Sequence, residues 1–302
     1  MQAKGRPVIS RKLLIGRAGR ASKSERRIRK TRKLIAHLLI IAFGTLMLYP
    51  LIWMLFASFK PQDEIFSSPG LLPQTWTIDN FVTGWTGIGY PFSNFFLNSF
   101  VVAATCVVGN LFSCSLAAYA FARLEFRFKP VLFGLMLGTI MLPFHVVLVP
   151  QYILFHTINW TNTYLPLVVP KFLAVDAFFI FLMVQFIRGL PRELDDAATV
   201  DGCGPIAVFW RIILPLMRPA LAVTAVFTFI WTWNDFLTPL LYLTDRSKFT
   251  VPVALNAFLD SSGASSWGPM FAMSLLSLVP LFVVFILAQK QLVSGIATVG
   301  IK

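Results

Sequence analysis

The stretch ELDDAATVDGCGPIAVFWRIILPLMRPA, Glu193 to Ala220, decides how the rest of the chain is read. Four carboxylates, Glu193, Asp195, Asp196 and Asp201, fall within nine residues, and Gly202, Gly204 and Pro205 follow before a knot of bulky apolar side chains. Pro191 suits a first helical turn, and the acids after it favour the positive end of a helix dipole. Ala197, Ala198 and Thr199 support helix and leave a small surface, and Gly202 with Gly204 ends it. Pro205 can open a second helix in which Phe209, Ile212 and Ile213 share a face, before Pro215 stops it. The pattern predicts two short helices with a corner over residues 191–218. Ala197, Ala198 and Gly202 carry almost no side-chain bulk, so another protein can approach the backbone there, with acids at the rim for its basic residues. The segment reads as a docking element; the plainer alternative is an amphipathic loop that caps two helices.

Outward from this segment the chain avoids water. Of 302 residues 57% are hydrophobic and 13% charged, with mean hydropathy +0.73; soluble domains carry about 25% charged residues. This is the composition of a membrane protein. The net charge of +13 sits in one place, because residues 1–33 hold 13 Lys and Arg against Glu25 alone. A basic tail beside a membrane span fits anionic cytoplasmic lipid and topology better than nucleic acid, and it has little to bury, so disorder is expected. The run that follows is too long for a signal-peptide core and has no small-residue cleavage site, which predicts a retained anchor.

Uncharged runs measured against bilayer thickness predict six helices at roughly 34–58, 96–122, 131–150, 165–187, 219–243 and 268–289. With the amino terminus inside, 22 basic residues fall on the inner side and four, Lys60, Lys171, Arg246 and Lys248, on the outer. The positive-inside rule then puts both termini and the 191–218 segment in the cytoplasm. The outer loops, residues 60–95 and 244–267, are too short to be domains. Lys171, in the first turns of the fourth helix, is expected to reach the outer interface.

Asp176 and Gln185 fall in the fourth predicted helix, and Asn234 with Asp235 in the fifth. Ionisable groups at such depth are costly unless they face water or a hydrogen-bonding partner. Two readings stand: Asp176, Asn234 and Asp235 border a translocation path, or they bond helix to helix. His37, His145 and His156 are far apart in the chain and show no metal spacing. Cys106, Cys114 and Cys203 form no paired or CxxC pattern and read as small packing residues. Of the aromatic residues 30 are Phe, spread through the spans, and they identify no sugar site.

The residues Asp196, Ala197, Ala198, Asp201, Gly202, Ile212 or Ile213, Leu214 and Pro215 carry a resemblance to the EAA loop of the permease subunits of binding-protein-dependent ABC importers. Asp196 stands where Glu is usual and Cys203 where Ala is usual, which keeps charge and small size. SFKPQDEIFSSPGLLPQTWTIDNF (58–81), NSFVVA (98–103), AAYAFAR (117–123), WNDFLTPLLYL (233–243) and the closing QKQLVSGIATVGIK are similar to the smaller permease subunit of maltose-type carbohydrate importers. The resemblance implies an all-α, six-span, type I ABC importer permease (MetI-like) bundle with both termini cytoplasmic. It would comprise a tail over 1–33, a first span and outer loop over 34–95, a permease core over 96–290 containing the 191–218 coupling segment, and a tail over 291–302. It also implies that Glu193, Asp195, Asp196, Ala197, Ala198, Asp201, Gly202 and Pro215 meet a separate ATP-binding subunit.

The chain has no Gly-Lys dipeptide, hence no Walker A loop. It is expected to be no enzyme and to bind no cofactor, with ATP and Mg held by two partner subunits. Further expected partners are a second, non-identical permease, an external binding protein meeting residues 244–267, and membrane lipid, with the ATPases also touching 290–302. The expected place is the bacterial cytoplasmic membrane. The rival class is an ion-coupled secondary transporter using Asp176 and Asp235, which leaves the acidic segment unexplained.

Overall fold

The computed structural model describes residues 23–68, 70–259 and 266–299, with side chains over 31–68, 70–259 and 266–289. The expectation of disorder for the basic tail falls mostly on residues 1–22, which lie outside the described residues; from Lys23 the chain is helix. Parts of the proposed contact regions, 260–265 and 300–302, lie outside them as well. By internal contacts the chain divides into two units, Met1–Met54 and Leu55–Lys302.

Helix α1 (Lys23–Ala57) begins well before the predicted span because Lys and Arg are themselves good helix formers and prolong it. Beyond Ala57 the second unit continues into a loop. Lys60 is buried there with its Nζ donating to Gly70 O at 2.6 Å, and Asn80 Nδ2 donates to Ser58 O and Lys60 O at 2.9 and 2.7 Å. Helix α2 (Asp79–Thr86) follows, then α3 (Phe92–Arg123), the rod about which the bundle is built. One face of α3 joins three apolar clusters. Cys114, Ala118 and Ala122 pack with Met183, Ile187 and Phe209; Phe92, Phe95 and Ala103 with Trp233 and Met273; Val102 and Cys106 with Phe155 and Tyr242. Small residues along α3 let the neighbouring backbones approach, the usual device where no hydrophobic drive separates helix from lipid.

Among the described residues all regular structure is helical, and four helices are long and apolar enough to cross a membrane: Thr31–Ala57, Phe92–Arg123, Leu165–Arg188 and Trp267–Gln289. Two bent pairs bring the number to six if each is one span. The third predicted helix is one of these. It is α4 (Lys129–Thr139) and α5 (Phe144–Thr157), bent by 102°, because Pro143 adopts extended backbone and holds Leu142 away from helix.

The fourth predicted helix is interrupted too. A short turn, Leu165–Val168, passes into a 3₁₀ segment, Val169–Leu173, then Ala174 at φ 53°, before α6 (Ala177–Arg188) begins. The fifth stops early: after α7 (Glu193–Val200) and α8 (Pro205–Leu216), α9 (Arg218–Asn234) ends at Asn234. Asp235 turns to extended backbone before α10 (Leu237–Tyr242). Helices α11 (Val251–Asn256) and α12 (Trp267–Val299) complete the chain.

Candidate functional site

Residues 191–218 form the expected pair of short helices. At the corner Gly202 sits at φ +83°, a conformation only glycine adopts without strain, and its N–H donates to Thr199 O at 3.0 Å while that of Cys203 reaches Ala198 O at 2.9 Å. Glycine is needed there for the turn itself, since an added Cβ would meet open space. Pro215 does not stop the second helix as the sequence predicted. The helix absorbs the missing N–H with a π turn over Phe209–Ile213, where Leu214 N–H bonds Phe209 O, and runs on to Leu216. Phe209 and Ile213 are buried, as their shared face requires.

Two side chains at the end of α3 fasten this hairpin. Arg123 Nε pairs with Asp195 Oδ2 at 2.8 Å, with the two side chains 6% and 20% exposed, and Arg123 Nη2 donates to Leu190 O at 2.9 Å. Tyr119 Oη donates to Pro205 O at 3.0 Å, and its ring lies 5.3 Å from that of Phe209. One anchor therefore holds each arm of the hairpin. Burial pushes the Asp195 carboxyl above the usual carboxylate range although the Arg123 charge opposes it, in keeping with Oδ1 being buried without a hydrogen-bond donor.

The remaining coupling residues divide by direction. Ala198 is buried against the cluster of Tyr119, Met183 and Phe209, so its small size serves this chain's own packing. Glu193, Asp196, Ala197, Asp201, Gly202 and Pro215 are exposed. Beside them stand apolar side chains that the sequence reading passed over: Val200 is 87% exposed, Ile206 76%, and Trp210 about half. Arg123 and Tyr119 were missed as well. The only signal for them was a lone cation closing a long apolar run.

A second polar group lies within the bundle. Lys171 Nζ pairs with Asp176 at 2.8 and 3.1 Å, and so does not reach outward as predicted; the 3₁₀ turn and Ala174 fold it back onto the carboxylate. Asn110 Nδ2 donates to Asp176 Oδ2 at 2.6 Å and to Thr228 Oγ1 at 3.1 Å, and Ser113 Oγ donates to Lys171 O at 2.7 Å. Gly109 lets the break lie against α3, since a Cβ there would come within 2.8 Å of Phe172. Asn234 and Asp235 are not part of this group. Asn234 Nδ2 donates to Ile230 O at 2.8 Å, and Asp235 Oδ1 accepts from Thr238 N at 3.1 Å, so both serve the local backbone where α9 gives way to α10. Among the described residues no three metal-ligating side chains cluster.

An all-helical membrane bundle with an exposed hairpin strapped to the end of its central rod is the architecture of a transporter's membrane subunit. The chain belongs to the family of binding-protein-dependent transport system inner membrane components, whose model matches residues 109–293. It is 37% identical to a probable ABC transporter permease protein of Bacillus subtilis, over 84% of this chain and 83% of the relative. It is 34% identical to an arabinooligosaccharides transport system permease of Halalkalibacterium halodurans, over 91% and 99%, and 33% identical to a trehalose/maltose transport system permease of Thermococcus litoralis, over 87% and 94%. The fold is similar to that of a chain in the crystal structure of a bacterial ABC transporter involved in the import of the acidic polysaccharide alginate, with a TM-score of 0.75 at 20% identity over 90% of this chain and 99% of that one. The chain is a multi-pass permease subunit of an ABC importer in the inner membrane, and the ion-coupled alternative is not favoured.

Proposed function

We propose that this permease is one membrane half of an ATP-driven sugar importer that works by alternating access, with six spans and both termini in the cytoplasm. The charge asymmetry of 22 inner against four outer basic residues supports that topology. Permease relatives named for arabinooligosaccharides, diacetylchitobiose and trehalose/maltose support a saccharide as cargo. Relatives named for sn-glycerol 3-phosphate transport make a phosphate ester the competing solute.

The observation that carries the coupling mechanism is the face of the 191–218 hairpin. Val200, Ile206 and Trp210 stand bare on a water-facing element whose inner side is fully occupied by Arg123 and Tyr119. Exposed apolar side chains rimmed by Glu193, Asp196 and Asp201 form a protein-docking surface. An ATP-binding subunit, carrying ATP and Mg, seats there. Two such subunits close on nucleotide, so a second permease, not identical to this one, supplies the other hairpin. An external binding protein delivers the solute to the outer loops, including 244–267. Asp195 and Ala198 act on the inner side of the hairpin, transmitting its movement to α3.

Purifying the tagged chain from its own membranes tests the reading. An ATP-binding subunit and a second permease should come with it, and proteoliposomes of the complex should take up saccharide in a vanadate-sensitive manner. A chain that purifies alone and transports down an ion gradient would overturn it.

A further inference from the structure

Three distances along the helices put the ion pair well inside the spans, each counted from a basic residue at one end of its helix. At 1.5 Å per residue, Thr228 is about 15 Å along α9 from Arg218, Asp176 about 18 Å from Arg188, and Asn110 about 20 Å from Arg123, in a hydrocarbon core of about 30 Å. Yet the Lys171 and Asp176 side chains remain 29% and 25% exposed. The residues beside them are also open, with Leu173 and Val175 more than half exposed. A partly exposed ion pair and irregular backbone are both costly against lipid at this depth, and both are accommodated where they line a water-filled cavity.

The same face carries an aromatic shelf. Phe178 is two residues from Asp176, and Trp231 is one turn from Thr228. Trp231 and Phe178 are each about half exposed, with ring centroids 5.8 Å apart, and the buried Phe179 lies 5.1 Å behind Trp231. An indole face takes the CH side of a sugar ring. The ammonium of Lys171 has three donors, two of them on Asp176, and the carboxylate keeps lone-pair capacity beyond the Lys171 and Asn110 bonds. Hydroxyl groups can use what is left.

We infer that Lys171, Asp176, Trp231 and Phe178 form a saccharide-binding site on this subunit's wall of the translocation path, selective for uncharged polyhydroxylated rings. The selectivity follows from charge. The pair is neutral as a whole, so a sugar meets no net field, whereas a phosphate ester attracted to Lys171 is brought against the Asp176 carboxylate, whose repulsion offsets the gain. This inference rests on the importer reading and names the class of solute within it.

The test uses the complete transporter with its external binding protein in proteoliposomes. Val175→Cys places a thiol next to the pair, in a Cys203→Ala background, since Cys106 and Cys114 are buried. A membrane-impermeant thiol reagent should label it in either the nucleotide-free or the vanadate-trapped complex. Saturating maltose, trehalose, diacetylchitobiose or arabinotriose should slow labelling about tenfold, and sn-glycerol 3-phosphate should not. Adding Trp231→Ala should abolish the protection and Trp231→Phe should keep part of it.

No labelling in either state means that lipid or a partner subunit covers this face, and it overturns the site. So does labelling that no saccharide slows, or that Trp231→Ala leaves protected. Stronger protection by sn-glycerol 3-phosphate overturns the neutral selectivity. Failure of the importer reading shows separately, as absence of vanadate-sensitive uptake by the wild-type complex, and labelling at Val175→Cys still reports whether the face is aqueous.

Discussion

Two interruptions of helix, the 191–218 hairpin and the break at residues 169–176, lean on the same rod and are held by opposite means. The hairpin lies at the C-terminal end of α3, where turn chemistry makes the shape and Arg123 with Tyr119 fixes its direction. The break lies among apolar residues, and an ion pair with two hydrogen-bonding helices holds it. Where water is available, the local sequence can specify a bend; inside the membrane, freed polar groups must be answered by neighbouring helices. The two sites are linked, because Arg123 is 13 residues from Asn110 on one continuous helix.

The largest effect is expected from Arg123→Ala. It strands the Asp195 carboxylate in a partly buried place, which typically costs about 3–5 kcal/mol, and it frees the first arm of the hairpin. ATP hydrolysis measured against solute uptake should show turnover continuing while uptake falls at least about tenfold. An unchanged ratio would separate the anchor from transmission.

Lys171→Met leaves Asp176 without its cation and should destabilise the complex by about 1–3 kcal/mol, and Lys171→Met with Asp176→Leu should recover most of that, since an apolar pair can replace a largely buried ionic one. Thermal unfolding of the purified complex checks both. If the double variant is no better than the single, the pair is not the fastening of the break.

Gly109→Ala presses on Phe172 and should cost about 1–3 kcal/mol by forcing the break off α3. The same change at the open Gly134 should leave the thermal midpoint where it was.

The smallest effect belongs to the loop after α10. Ser247 N–H and Oγ donate to Asp245 Oδ1 at 2.9 and 2.8 Å and hold its carboxyl below the ordinary 3.8. The folded value is the lower one, so this support is present above the unfolded value and fades as pH falls through the folded value. Proteolysis of the loop should therefore quicken only in strong acid, and Asp245→Asn should lose that dependence.

The sequence made the hairpin legible because Gly202, Pro205 and the acid cluster each constrain the backbone through their own chemistry. It made the anchors illegible, since nothing local distinguishes Arg123 pairing with Asp195 from an Arg solvated at a helix end. The interrupted fourth span escaped for a related reason. VPKFLAVDAFF satisfies apolar periodicity, while its departure from helix depends on Asn110, Gly109 and Thr228, 49 or more residues distant in the chain. Asp176 was singled out as costly, but Lys171, five residues away, was expected at the outer interface and instead pairs with it. Pro215 misled in the other direction, because a π turn absorbs a missing N–H that a strict α-helix could not.

The most direct test of the coupling claim is retention of the ATP-binding subunit by the tagged permease carrying Val200→Asp and Ile206→Asp. Both positions are open, so the variant should melt like the wild type. Retention should fall at least about tenfold. An ATP-binding subunit that stays bound as tightly as before would show that the hairpin is not its seat.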